Sequence, residues 1–171
     1  MATVTDVAEA ILTRKGSIDS YQLHKLVFYA QAVHLARTDR PLFGERIEAW
    51  KHGPAVPALF GRHRGAYRVD TVGGDIAALD EDARSAVEEA LSIYGRHTST
   101  WLQAQTHIDE PWRQARRGLS DDARGGRQIT PKAMLDYYGP MLNDPEIDSA
   151  LAEAASQTGL TGSEILARYG A

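Results

Sequence analysis

Side chains able to do chemistry are scattered along this sequence and form no familiar catalytic pattern. Six histidines invite a metal reading. His24 and His34 lie ten residues apart on one predicted helix and about 15 Å apart along the axis, too far to share an ion. His52 precedes a glycine, and His107 with Asp109 flanks a helix end. None shows the His-x-x-x-His or His-Glu-x-x-His spacing that sets two imidazoles on one helical face. They are read as polar surface or satisfied core residues, with no metal and no cofactor. Cysteine is absent, which excludes disulfides, thiolate ligands and a cysteine nucleophile. No Gly-x-Ser-x-Gly elbow occurs, and Ser20, Ser92 and Ser99 fall at helix caps or helix surfaces. Gly73-Gly74 and Gly125-Gly126 match no phosphate-cradling loop. His107, Asp109 and Arg113 could assemble a polar site, but a helix junction accounts for them equally well. The expectation is a chain with no catalytic residues that is not an enzyme.

The tryptophan–proline junctions say more. Trp50-Lys51-His52-Gly53-Pro54 and Glu110-Pro111-Trp112-Arg113 each set an indole beside a rigid turn. The plainer reading wedges both tryptophans between helices. The functional reading makes Trp50, Lys51, His52, Pro54, Trp112 and Arg113 the edge of a recognition groove, because Trp and Arg dominate interface hot spots. A net charge of −4 and a pI near 5.8 argue against nucleic acid, whose phosphates need a basic face. Arg62, Arg64 and Arg68 form one basic cluster; Arg113, Arg116, Arg117, Arg124 and Arg127 form another. Acids gather on Asp75, Asp80, Glu81, Asp82, Glu88 and Glu89, and again on Asp144, Glu146, Asp148 and Glu153. Such segregation is usually solvated surface; where functional, it suits a partner protein, and Glu146, Asp148 and Glu153 join the candidate contact residues.

The elements that must position these residues are mostly helices. At 171 residues the chain is one domain's length, and 43% hydrophobic content supports a real core. No apolar run approaches the roughly 20 residues of a membrane helix, and Met1 to Asp6 lacks a signal's basic and apolar regions, so a soluble cytoplasmic protein is expected. Val4, Val7, Ala8, Ile11 and Leu12 give a first amphipathic helix that Gly16 stops. Asp19 with Gln22 has the form of a capping box opening a central helix to about Arg37, with Leu23, Leu26, Val27, Ala30 and Val33 on its apolar face. Arg46–Trp50 alternates as a short strand. Pro54 is expected to open a helix striped by Val56, Leu59 and Phe60. Residues 66–72 suggest a second strand that could pair with the first in a minor hairpin or ribbon. Helices follow over 80–94, 98–106 and from Asp109; 118–128 reads as an exposed loop; Thr130-Pro131 caps another helix that Pro140 stops or kinks. Two short acidic helices are expected from Asp144 and from Thr161. The fold class is therefore mainly α: one compact helical domain over 1–143, a minor β-hairpin or ribbon, and an acidic helical extension over 144–171.

At the tryptophan junctions a resemblance becomes clear. The blocks Leu23-His24-Lys25-Leu26-Val27-Phe28-Tyr29-Ala30-Gln31-Ala32, Pro41-Leu42-Phe43 and Ile47-Glu48-Ala49-Trp50-Lys51-His52-Gly53-Pro54-Ala55-Val56-Pro57 resemble the Panacea domain of SocA-like and GepA-like antitoxins. The resemblance continues through Thr106-His107-Ile108-Asp109-Glu110-Pro111-Trp112-Arg113 and ends at Ile129-Thr130 and Tyr137-Tyr138. Leu23, Lys25, Leu26, Tyr29, Gln31, Ala49, Trp50, Gly53, Pro54, His107, Pro111 and Trp112 carry it; His24 stands where the family usually has glutamine. It implies a bacterial or phage (prophage) antitoxin domain that binds and neutralises a toxin encoded beside it. Toxins of such systems include RelA-like small alarmone synthetases, and a SocA-like member instead delivers its toxin to a ClpXP-type protease. The implied partners are a cognate toxin and, in the adaptor reading, that protease, with no membrane and no nucleic acid; self-association stays open.

Overall fold

In the computed structural model, which describes residues 1–146 and 149, a long helix threads the middle of the molecule and most of the other helices pack on it. The elements run α1 (Val4–Lys15), β1 (Ile18–Asp19), α2 (Ser20–Thr38), β2 (Ile47–Trp50), β3 (Gly53–Ala55), α3 (Pro57–His63) and β4 (Arg68–Val69). A 3-10 turn at Ile76–Ala78 leads to α4 (Glu81–Tyr94), α5 (Ser99–Ile108), α6 (Glu110–Ala115), β5 (Gln128–Ile129) and α7 (Pro131–Asn143). The protein is mainly α with small antiparallel sheets, as the sequence implies. Among the described residues no helix is long and apolar enough to cross a membrane.

Asp19 caps α2 by accepting the Gln22 N–H at 2.8 Å, but the reciprocal arm of the box is missing: Gln22 Nε2 donates to His97 O at 2.8 Å and ties α2 to the α4–α5 junction. α2 is buried from Leu23 to Ala36 on every side, not on one stripe. α4 and α7 pack against it most extensively, followed by α1 and α5. Polar residues on such a helix need internal partners. Gln31 shows how: its Oε1 accepts from Leu42 N at 2.6 Å and its Nε2 donates to Phe43 O at 3.1 Å, which pins the Pro41–Phe43 turn. Thr130 caps α7 through its hydroxyl, as expected, and Thr98 does the same for α5.

The strands differ from expectation. β2 does not pair with the 66–72 segment; β4 pairs with β1 (Ile18↔Val69), while β2 is the centre of a β3–β2–β5 sheet. The reason is the turn at Lys51-His52. Gly53 at φ +108° folds the chain straight back, so β3 captures β2 at once. Pro54 accordingly lies in β3, opposite Ala49, and Pro57 takes the first position of α3. Pro54 costs the sheet nothing, because Ala49 points its own N–H away from β3, at Arg127 O (2.9 Å). α7 runs through Pro140 to Asn143; the proline is exposed, on a side where the freed Asp136 carbonyl can meet water. The helical stripes expected from Ile147 onward, with Asp148 and Glu153, lie outside the described residues. Glu146 is described and exposed, its N–H donating to Asp144 Oδ1 at 2.9 Å.

Candidate functional site

Lys25 sits in the first half of α2, off its apolar stripe, yet only 2% of its surface is exposed. Its side chain runs beneath the β2–β3 turn and donates to Pro54 O at 3.3 Å. Gly53 makes the passage: a Cβ there would lie 2.5 Å from Lys25 Cε and 3.0 Å from Thr106 Oγ1. Glycine is thus required twice, for the positive φ and for the close approach. Burial pulls the ammonium's pKa down to about 7, with the Asp19 charge opposing.

Beside Lys25, His24 Nε2 meets His63 Nε2 at 2.9 Å. His24 Nδ1 accepts from Val56 N (3.2 Å), so its proton sits on Nε2 and His63 must accept. The pair holds together only while both rings are neutral. Burial, then the Lys25 charge, then His63 push the His24 pKa well below the usual value; burial lowers that of His63. Among the described residues no group of three ligating side chains could hold a metal ion.

Above these groups opens a cavity of about 330 Å³. Its walls are Tyr21, Trp50 and Phe60, and its rim is Lys51, His52 and Arg124. The Trp50 ring meets Phe60 edge-on at 5.3 Å and carries the Arg124 guanidinium at 5.5 Å. Trp50 Nε1 donates to Glu48 Oε2 at 2.8 Å. The rim depends on the segment read as an exposed loop. Residues 118–127 are a largely exposed loop, and they also fold back over β2: Lys51 N donates to Arg124 O at 2.9 Å, and Lys51 Nζ reaches Asp122 Oδ1 at 2.7 Å. Arg116 holds that segment in place. The residue is only 8% exposed, and its guanidinium donates to Ala49 O (3.1 Å), Ser120 O (3.0 Å) and Ala123 O (2.7 Å). Gly125 leaves no room for a side chain, since a Cβ would fall 2.1 Å from Ala49 O.

The tryptophan of the second junction, Trp112, braces the first. Trp112 Nε1 donates to Trp50 O at 3.0 Å, its ring stacks on His107 at 3.9 Å, and Arg116 covers it at 5.2 Å. His107 Nε2 is buried without a hydrogen-bond partner among the described residues, and burial, then the charges of Lys25, Arg116 and His52, lower its pKa.

Asp109 turns inward between α5 and α6. It is 1% exposed and accepts from Tyr29 OH (2.9 Å), Tyr138 OH (2.5 Å) and Gln105 Nε2 (2.9 Å), with Tyr137 OH at 3.5 Å. Burial raises its pKa, and the donors from Tyr138, Gln105, Tyr29 and Tyr137 hold the rise in check. Tyr29 in turn stacks on Tyr94 at 3.7 Å. This is a knot tying α2, α4, α5 and α7, with Asp109 closed off from solvent.

The structure therefore sorts the sequence candidates. Trp50, Lys51 and His52 come together at the cavity rim. Pro54 is buried and contributes only its carbonyl to Lys25, while Arg113 is exposed on α6. His107, Asp109 and Arg113 do not converge: no hydrogen bond or ion pair joins their side chains among the described residues. The acids of α4 are largely engaged, Glu88 with Arg14, Glu89 with Arg37 at 2.5 Å and Asp82 with Arg40 at 2.9 Å. Sequence reasoning marks Lys25 only as a residue of the family resemblance and Phe60 only as part of a helix stripe, and it misses His63; nothing in their local spacing sets them around one cavity, because α3 and α2 are brought together only by the hairpin between them.

The family model described as antitoxin SocA-like, Panacea domain, matches residues 23–113, just over half of the chain. Comparison with curated proteins and with solved structures gives no match.

Proposed function

The chain belongs to the SocA-like Panacea-domain antitoxin family, and from that premise we propose that it neutralises a cognate toxin by direct protein–protein binding, catalysing nothing itself. The family match supports an antitoxin role; the observation that directs it to a surface is the overlap between match and cavity. Residues 23–113 supply every lining residue except Ser20, Tyr21, Asp122 and Arg124. Lys51 and His52 stand exposed on the tight turn, with the Trp50 indole half-buried behind them, an anchor-and-rim arrangement suited to a protein partner.

Residues 144–171 form, in this reading, a partner-specific extension of the 1–143 domain. Glu146, Asp148 and Glu153 would face a toxin with a basic surface for tRNA or nucleotide phosphates, as a RelA-like small alarmone synthetase has. The test is co-expression with the product of each adjacent open reading frame. One product should arrest growth, the chain should relieve the arrest and co-purify with it, and Trp50→Ala with Lys51→Glu should abolish relief. Truncation after Asn143 should weaken it. Toxin that disappears only while a ClpXP-type protease is present would convert the mechanism to adaptor delivery. A locus with no harmful neighbour would overturn the proposal.

A further inference from the structure

The cavity under the β2–β3 turn is over-supplied with cationic and imidazole nitrogen. Among its described lining residues Asp122 is the single acid, and Lys51 already engages it at 2.7 Å. Lys25 forms part of the wall with one acceptor, Pro54 O, and the Tyr21 ring at 6.0 Å, so two of its three ammonium hydrogens have no hydrogen-bond acceptor among the described residues. A buried cation in that condition is stabilised by an anion that brings its own acceptors. The neighbouring His24–His63 pair adds no positive charge, because its geometry requires both rings neutral. One unit of buried charge matches a monoanion, and the surrounding Trp50, Phe60 and Tyr21 rings match an apolar body. The volume of about 330 Å³ is at the lower end for ligand pockets and more than twice that of a benzene-binding cavity, taken as roughly 150 Å³.

We propose that this cavity is a binding site for a small organic carboxylate, its carboxylate on Lys25 Nζ and its apolar or aromatic stem against Trp50 and Phe60. The site is independent of whether the chain neutralises a toxin. The same chemistry comes from a free aromatic carboxylate or from an acidic side chain beside an apolar one on a partner, and the two sources are separable.

The test is titration of the full ¹⁵N-labelled chain with phenylacetate, phenylacetamide, inorganic phosphate and acetyl-Phe-Asp-amide, followed by NMR. Phenylacetate should shift the Trp50 indole and Gly53 amide signals saturably. Phenylacetamide should bind at least tenfold more weakly, and Lys25→Met should cost phenylacetate at least tenfold. Tighter binding of the peptide assigns the occupant to a partner's acidic residue; tighter binding of phenylacetate assigns it to a free metabolite. Equal binding of acid and amide in the unsubstituted chain, phosphate competing at the same signals, or no saturable shift would overturn the proposal. The acid–amide comparison decides even where Lys25→Met does not fold.

Discussion

Replacing Lys25 with methionine separates the stem, which packs, from the ammonium, which is buried with a single long hydrogen bond. The ammonium's pKa is about 7 in the fold against 10.5 for free lysine. Between these values the unfolded chain binds more protons than the folded one, so stability rises with pH across that window. At 1.36 kcal/mol per unit the full cost of the buried charge is about 5 kcal/mol at low pH. About 3 kcal/mol of that is removed between pH 7 and about pH 9.5, short of the ordinary tyrosine midpoint of about 10. Urea unfolding of both proteins at the two ends of this window checks it. The unsubstituted chain should gain about 3 kcal/mol on going alkaline; Lys25→Met should lack that gain and be the more stable protein at pH 7. Equal slopes in the two proteins would refute the reasoning, since they would show that Lys25 keeps its proton or that its burial is relieved by solvent.

Three further outcomes follow from the same geometry. Gly53→Ala should cost about 2 kcal/mol or more, because it combines a strained positive φ with a clash on the Lys25 stem, and chemical denaturation will read it. Arg116→Ala should free residues 118–127 from β2, giving protease cleavage within that segment and a stability loss of about 2–4 kcal/mol. Asp109→Ala leaves the Tyr29 and Tyr138 hydroxyls without their acceptor and should cost about 3 kcal/mol or more, with loss of the near-ultraviolet tyrosine signal in circular dichroism.

What the sequence made legible was local. Asp19, Thr98 and Thr130 cap their helices through neighbouring N–H groups, and those signals sit within three residues of what they control. Gly16 ends α1 for the same reason. What stayed hidden was set by distance along the chain. β5 is two residues long and pairs with β2 some 80 positions earlier, so no alternation announces it. Arg116 looked like one member of a basic cluster, whereas its three carbonyl acceptors appear only once the loop has folded back. Lys25 lies outside the apolar stripe of α2, and periodicity cannot foresee that a helix will be enclosed on all sides. The cavity was half legible: Trp50, Lys51 and His52 are contiguous, while the Phe60 and His63 wall needed the hairpin to deliver it.

The latch formed by Arg116 and β5 has a consequence for where this molecule can be cut. The stretch that identifies its kinship ends at Arg113, but Tyr138 reaches back to Asp109, and Ile129 lies alongside Ile47. Excising 23–113 would strip a strand from the sheet, uncover the tyrosine knot and remove one side of the cavity mouth. Lineage and architecture thus draw different borders on the same polypeptide, and anyone transplanting this module should follow the second, carrying the cargo at least as far as the end of α7.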